Sequence, residues 1–121
     1  MLLIFLVLLL CCWTPVEPSC GPIKEGQSTT LTCEVNTARC SGSVFAIWRI
    51  EETGSSDIAS CGSHLCGGFY SSEFPTTISS TRTTLNIKSV SRVTPFNMET
   101  KWSCSPCGRG HSIVCGKLQV Y

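Results

Sequence analysis

The feature that most constrains the fold is the number and placement of the cysteines. The chain has 121 residues and ten cysteines, of which eight lie between residues 20 and 115. In an oxidising compartment, an even number of cysteines in so small a domain predicts a disulfide framework, because a core of this size is only marginally stabilising. The eight are Cys20, Cys33, Cys40, Cys61, Cys66, Cys104, Cys107 and Cys115.

The N-terminus indicates which compartment the chain enters. Residues 2–12 are an unbroken apolar run, too short to cross a bilayer core of about 30 Å as a helix but of the length found in a secretory signal. We therefore predict a signal peptide over residues 1–19, cleaved between Trp13 and Cys20, and a secreted, extracellular product. No other run is long enough to span a membrane, and no N-x-S/T acceptor for N-glycosylation occurs.

Composition and charge narrow the classes of function. Nine Lys and Arg against eight Asp and Glu give a formal charge of +1. The basic residues are scattered singly, so no stripe is available to neutralise phosphates, and nucleic acid is not an expected partner. Because the chain has two histidines, no G-x-S-x-G elbow and no paired carboxylates in a recognisable motif, it is not expected to be an enzyme. The length predicts one domain, residues 20–121.

Between the cysteines, polarity alternates with the period of a β-strand. In residues 29–35 this alternation places Leu31, Cys33 and Val35 on one face. Helical periodicity is nearly absent, and turn-like segments such as residues 52–56 and 66–68 separate the alternating runs. Many short strands with frequent turns indicate an all-β sandwich or barrel. The other predicted strands are residues 45–50, 84–88, 100–104 and 113–121.

Several segments together resemble the immunoglobulin superfamily. Residues 25–33, EGQSTTLTC, resemble the turn and strand B of an immunoglobulin domain, and residues 85–90, LNIKSV, resemble strand E. Trp48 is separated from Cys33 by fourteen residues, where strand C carries its core tryptophan, and Cys104 stands at the strand F cysteine. The resemblance covers residues 20–121 and implies a divergent V-type, Greek-key β-sandwich, because the interval from Trp48 to Leu85 has room for strands C′ and C″.

The resemblance also implies how the core and the disulfides are built. Trp48 is expected to pack against a Cys33–Cys104 bridge between the two sheets. The other implied bridges are Cys20–Cys115, Cys40–Cys107 and Cys61–Cys66. The residues expected to face inward are Leu31, Cys33, Val35, Ile47, Leu85, Ile87, Val90, Trp102, Cys104, Leu118 and Val120.

The chain departs from the family pattern at two positions before Cys104. Met98 stands where the family usually has Asp, and Trp102 stands where it usually has Tyr. The hydrogen bond of the tyrosine corner and the usual Arg–Asp pair are therefore not expected in their usual form, although Trp102 has the volume to fill the same space.

The stretch KWSCSPCGRGHSIVCG, residues 101–116, also admits two other kinds of chemistry. Cys104, Cys107, His111 and Cys115 are spaced as C-x2-C-x3-H-x3-C, one residue short of a zinc knuckle in each of the last two gaps. The Cys104-Ser-Pro-Cys107 pair has the spacing of a redox dithiol but lacks the βαβ context. We favour disulfides for these cysteines, with no metal and no cofactor.

Exposed polar residues supply the candidate ligand contacts. Gly108 and Gly110 can adopt the positive φ values that a tight F–G turn needs, which leaves Arg109 and His111 exposed as candidate ligand-binding residues. The simpler interpretation is that both are solvated turn residues. His64 stands between two cysteines five apart, a spacing that more often closes a small disulfide loop than binds a metal.

Two classes of function remain open from the sequence. The resemblance implies an extracellular recognition module that binds a protein or glycan through the loops at one end, or through the GFCC′ sheet face. The alternative is a secreted, disulfide-rich effector, such as a venom or host-defence polypeptide that acts on a receptor or channel. If Tyr121 is not the natural end, the chain is the N-terminal domain of a longer receptor. No large apolar set stands at the outward positions of the GFCC′ face, so we expect a monomer.

Overall fold

A computed structural model describes residues 19–51 and 55–121 of the chain. Apart from Ser19, the predicted signal peptide lies outside the described residues. The strands are β1 Ser19–Ile23, β2 Thr29–Glu34, β3 Ala46–Glu51, β4 Ser55–Cys61, β5 Cys66–Gly67, β6 Thr76–Ile78, β7 Arg82–Ile87, β8 Lys101–Pro106, β9 Ser112–Cys115 and β10 Lys117–Val120, with a short 3-10 helix at Thr37–Arg39.

The strands form two facing sheets. One has the order β2-β7-β6, and the other has the order β5-β4-β3-β8-β9. Strand β1 pairs in parallel with β10 in a third, two-stranded sheet, and β10 follows β9 after a break at Gly116. In the order of an immunoglobulin domain, β4 and β5 are strands C′ and C″, so the V-type, immunoglobulin-like sandwich expected from the resemblance is confirmed.

The core lies between the two sheets and is built around two tryptophans. Trp48 and Trp102 are fully buried, together with Leu85 and Ile87, and Leu31 is buried beside them. In β2 and β7 the buried residues alternate with exposed or half-buried ones, as expected when one face of a sheet is buried, whereas residues 102–105 of β8 are all buried. The main buried cluster draws on β2, β3, β4, β7, β8, β9 and β10, and a second, smaller cluster consists of Val35, Ala46 and Cys61.

The prediction that Ile47 faces inward is wrong. Ala46, Trp48 and Ile50 are the buried residues of β3, whereas Ile47 and Arg49 between them are half-buried on the outer face. Successive side chains of a strand point to opposite faces. Once Trp48 is placed in the core, its neighbour Ile47 must therefore point outward.

Trp102 makes a hydrogen bond similar to the one that the missing corner tyrosine would make. Its indole Nε1 donates a hydrogen bond to the backbone oxygen of Met98 at 3.0 Å. This bond runs four residues back along the chain, in the same sense as the tyrosine-corner bond of immunoglobulin domains. Met98 itself is buried and packs in the core, so the departure from the family pattern replaces a polar contact with an apolar one.

A buried polar pair connects the two sheets through the other tryptophan. Trp48 Nε1 donates to Thr83 Oγ1 at 3.1 Å, and Thr83 Oγ1 donates to the backbone oxygen of Thr77 at 2.8 Å. Both Trp48 and Thr83 are fully buried. The hydroxyl thus gives the buried indole N–H the partner that it would otherwise lack inside the core.

Four disulfides join the eight cysteines that follow residue 19. They are Cys20–Cys115, Cys33–Cys104, Cys40–Cys107 and Cys61–Cys66, the same pairs that the resemblance implied. The first ties β1 to the end of β9, the second crosses the core, and the other two lie at one end of the sandwich. Closing a loop of about 70 residues removes roughly 4 kcal/mol of unfolded-chain entropy in the loop-closure model.

Some strand boundaries differ from the sequence prediction. Ser55 and Ser56, predicted as turn residues, belong to β4, and the predicted turn at residues 66–68 contains the short strand β5. The single strand predicted for residues 113–121 is two strands, and β6 was not predicted. Short polar strands of this kind carry no periodicity of their own, because their pairing partners define them.

Candidate functional site

Three loops leave the five-stranded sheet from the same end. Ala46, the first residue of β3, is paired with Pro106 at the end of β8 and with Cys61 at the end of β4. The loops at residues 35–45, 62–65 and 107–111 therefore emerge side by side. We call this surface the loop end. The turns at residues 24–28 and 88–100 lie at the opposite end.

Covalent and backbone contacts hold the three loops together. The Cys40–Cys107 bridge links the first loop to the third. Phe45 adds two backbone bonds, in which its oxygen accepts from Cys107 N at 2.8 Å and its nitrogen donates to the Cys61 oxygen at 2.7 Å. Within the second loop, the Cys61–Cys66 bridge is reinforced by a bond from Gly62 N to the Leu65 oxygen at 2.8 Å. The loop end is thus pre-organised as one surface.

The tip of the third loop is a tight turn that presents Arg109. Gly108 and Gly110 have φ values of 69° and 64°, as the sequence indicated, and Cys107 has a φ of 55°. A positive φ is uncommon for a residue other than glycine, and here Cys107 is also held by its disulfide. Arg109 is exposed, and its Nη2 donates to Ser41 Oγ in the first loop at 2.7 Å.

His111 is exposed but bends away from the tip onto the outer face of the five-stranded sheet. Its Nε2 lies 3.0 Å from Arg49 Nη1, and its Nδ1 lies 3.1 Å from Ser105 Oγ. Arg49 also makes an ion pair with Asp57, with Nε 2.6 Å from Oδ1. Arg109 and His111 therefore belong to two adjoining surfaces, the loop end and the sheet face.

Ser105 Oγ and His111 Nδ1 lie within the hydrogen-bonding distance of a nucleophile and its base, but the contact of the ring with Arg49 determines which nitrogen accepts. A guanidinium can only donate, so the His111 Nε2 that faces Arg49 must be the accepting nitrogen. In the neutral ring the proton then lies on Nδ1, which donates to Ser105 Oγ instead of accepting its proton. The arrangement orients the ring but does not activate the hydroxyl.

The three loops carry positive charge without acidic residues. Arg39 and Arg109 are exposed there, and residues 35–45, 62–65 and 107–111 contain no Asp or Glu. The nearest carboxylate in the sequence is Glu34, the last residue of β2. Such a surface favours a ligand that carries carboxylate or sulfate groups.

The cysteines considered for zinc or redox chemistry form disulfides with separate partners. Cys104, Cys107 and Cys115 bond to three different cysteines in the core, at the loop end and on β1 respectively. Their sulfurs are thus half-cystines and not the thiolates that zinc requires. His64 is exposed within the small Cys61–Cys66 loop.

Two open grooves flank the sandwich. One, of about 520 Å³, adjoins the loop end and is lined by Thr32, Glu34, Val35, Asn36, Thr81, Arg82 and Pro106. The other, of about 430 Å³, lies at the opposite end, where residues 88–98 contribute much of the wall. Both grooves are broad depressions and not the enclosed apolar cavities typical of small-molecule sites.

The contacts of His111 could not be found from the sequence. Arg49 and Ser105 meet His111 because β3, β8 and β9 are neighbours in the sheet, although Arg49 is 62 residues away in the chain. Ser41 meets Arg109 because the Cys40–Cys107 bridge joins their loops. No local signal marks either contact, whereas the exposed Arg109 was indicated by the glycines on each side of it.

Across residues 19–51 and 55–121, no helix has the length and apolar character needed to cross a membrane.

Comparisons with known proteins give a structural likeness. No family model matches the chain, and no curated protein matches it. Among 153 matching solved chains is a mutant extracellular fragment of novel immune-type receptor 10, at 16% sequence identity and a TM-score of 0.61. The match covers 88% of this chain and 97% of that one. At this identity the likeness extends to the fold alone, and the chain has the fold of an immunoglobulin domain.

Proposed function

We propose that the chain is an extracellular recognition domain that binds a protein or glycan ligand through the loop end, with Arg109 as the central contact. The observation that carries this proposal is the joining of three loops into one rigid, positively charged surface. The likeness to an extracellular receptor fragment and the four disulfides support an extracellular setting.

Pre-organisation of the loops favours binding. A flexible hairpin loses conformational entropy when a ligand orders it, which weakens the complex. Here the third loop is tied at its base by Cys40–Cys107 and at its tip by the bond from Arg109 to Ser41. Little further ordering is needed when a ligand contacts the tip, so more of the interaction energy contributes to affinity.

Arg109 suits an acidic ligand group. A guanidinium presents several donors in a plane and pairs with carboxylate or sulfate through two parallel hydrogen bonds. One of these donors already bonds to Ser41 Oγ, which fixes the direction of the side chain and leaves the other donors available. Arg39 on the first loop adds a second positive charge to the same surface.

The experiment is to compare the binding of the wild-type protein and Arg109→Ala to a panel of sulfated and carboxylated glycans and to intact cells. We expect the substitution to weaken binding at least tenfold, equivalent to about 1.4 kcal/mol. The melting temperature should stay unchanged, because the side chain is exposed and makes no contact with the core.

Arg92→Ala is the matched control. Arg92 is also exposed and lies at the opposite end of the sandwich, where it pairs with Glu25 at 3.2 Å. It should leave binding intact. If Arg109→Ala and Arg92→Ala weaken binding equally, net charge explains the result and the loop end is not the site. If neither changes binding, the site lies elsewhere.

A further inference from the structure

The edge of the five-stranded sheet at β5 carries the two most exposed large apolar side chains of the described residues. Leu65 is 82% exposed and Phe69 is 93% exposed. Leu65 directly precedes β5, and Phe69 follows it by two residues. Phe69 rests edge-on against Tyr70, with ring centroids 5.0 Å apart, and Tyr70 packs in the same way on Phe96. These rings therefore support Phe69 from one side only.

This edge lacks the charged residues and prolines that often keep sheet edges apart. Proteins protect exposed edges with very short strands, charged residues, proline or a covering segment, and of these β5 has the short length, two residues. Residues 58–72, which include β5, contain no Asp, Glu, Lys, Arg or Pro. Gly67 is exposed, and a Cβ placed on it would meet nothing within 4 Å. Another backbone can therefore approach closely.

The hydrogen-bond pattern leaves Cys66 with its backbone groups directed at the open edge. Gly62 N donates to the Leu65 oxygen, so Gly62 and Leu65 form a hydrogen-bonded pair. The next pair, Cys61 and Cys66, is then a non-hydrogen-bonded pair whose N–H and C=O groups point away from each other. In agreement, the Cys61 oxygen accepts a hydrogen bond from Phe45 N, so it points away from β5. Cys66 thus directs a donor and an acceptor outward.

The expectation of a monomer considered only the GFCC′ face and not this edge. We propose that the chain forms a two-fold homodimer through the β5 edge, with Leu65 and Phe69 as its apolar contacts. Antiparallel pairing of β5 with its copy lets Cys66 exchange both backbone hydrogen bonds with the partner's Cys66. Leu65 then lies over the partner's Gly67, which has no side chain, and beside the partner's Leu65 and the partner's Phe69. The segment is self-complementary, as a two-fold interface requires.

A second copy fits the edge better than other occupants do. A charged residue near a two-fold axis faces its own copy and is repelled, and residues 58–72 carry no formal charge. The lack of Lys and Arg there also removes the attraction that helps a surface bind anionic lipid. Two apolar side chains and a short strand provide less than the usual 800 Å² or so per partner, so the dimer is weak and forms at high concentration.

The dimer has a geometric consequence for recognition. Antiparallel edge pairing reverses the strand direction between the two copies, so their loop ends point in opposite directions. A dimer of this kind can bridge ligands on two surfaces that face each other. Its two loop ends cannot both bind ligands on the same flat surface. The proposal itself rests on the β5 edge and does not depend on Arg109 as the ligand contact.

Sedimentation velocity of the full secreted chain tests the proposal over protein concentrations from about 10 µM to 1 mM, the range expected for a weak interface. We expect dimer to accumulate with concentration. Leu65→Ser and Phe69→Ser should each raise the dissociation constant at least about tenfold. Val93→Ser is the matched control, because Val93 is also exposed, at 75%, but lies at the opposite end from the loops. It should leave the constant unchanged.

Other outcomes would overturn the proposal. A monomer at every concentration excludes the dimer. A dimer that persists in the Leu65→Ser, Phe69→Ser double variant but dissociates in Ile47→Ser uses the outer sheet face instead. Leu65- and Phe69-dependent co-sedimentation of a monomer with phosphatidylcholine vesicles would assign the two side chains to a lipid surface. Unchanged melting temperatures establish that the variants are folded.

Discussion

The buried hydroxyl of Thr83 provides the sharpest test of how this core is held. Thr83→Val keeps the shape of the side chain and opens no cavity, but it removes the group that accepts from Trp48 Nε1 and donates to the Thr77 oxygen. The indole N–H would then be buried without a partner. Thr77 is exposed, so its oxygen can bond to water.

The expected loss of stability follows from the difference between the buried indole N–H and the water-accessible oxygen. A buried polar group left without a partner costs about 1–3 kcal/mol, whereas a group that reaches water costs little. We expect Thr83→Val to lower the free energy of unfolding by about 2 kcal/mol. At roughly 4–8 °C per kcal/mol for a domain of this size, the melting temperature should fall by about 10 °C.

Urea denaturation under non-reducing conditions measures this effect, with Thr84→Val as the control. Thr84 is the next residue of β7 but is only half-buried on the other face, so its change should stay within about 0.5 kcal/mol. Combining Thr83→Val with Trp48→Phe should give less than the sum of the two losses, because both remove the same hydrogen bond. Additive losses, or a Thr83→Val variant as stable as wild type, would refute the reasoning.

Two further comparisons test the fold by thermal melts. Trp48→Ala should cost about 3–5 kcal/mol through the cavity it leaves beside the core disulfide, whereas His64→Ala should change stability by less than about 0.5 kcal/mol; the reverse ranking would contradict the assignment of β3. Gly21→Ala should cost more than about 1 kcal/mol, since Gly21 has a φ of 101° and an added Cβ would lie 2.6 Å from the Gln119 oxygen. Gly42→Ala, where a Cβ meets nothing within 4 Å, should be neutral, and equal effects at the two glycines would exclude the close approach of β1 to β10.

The sequence predicted the sandwich because its strongest signals are local. The alternation around Cys33 and the tryptophan of β3 each lie within a short segment and indicate which faces are buried, and Cys104, 71 residues after Cys33, supplies the cysteine of the opposite sheet. The error at Ile47 arose in a continuous apolar run, where hydrophobicity alone does not distinguish the two faces of the strand. The assignment of Trp48 to the core was already enough to place Ile47 on the outer face, because adjacent residues of a strand point to opposite sides.

The candidate surfaces were less predictable because they depend on pairing between distant segments. The glycines around Arg109 marked an exposed turn, but nothing near His111 indicates that its ring contacts Arg49 and Ser105. Strand β5 escaped prediction because Cys66 and Gly67 alone carry no strand periodicity, so an open sheet edge could not be anticipated there. Register, which determines these contacts, is a property of the assembled sheet.

The position of Tyr121 affects how the domain can be displayed. Its nitrogen donates to the Ile23 oxygen at 3.0 Å, and its oxygen accepts from Glu25 N at 2.8 Å, so Tyr121 is fixed beside the turn at residues 24–28, at the end opposite the three loops. A fluorophore, bead or sensor surface attached after Tyr121 would therefore leave Arg109 facing the solution. Attachment through Lys residues would give no such orientation, because Lys24, Lys88, Lys101 and Lys117 are spread along the chain. C-terminal immobilisation is thus the format in which binding at the loop end is measured without obstruction.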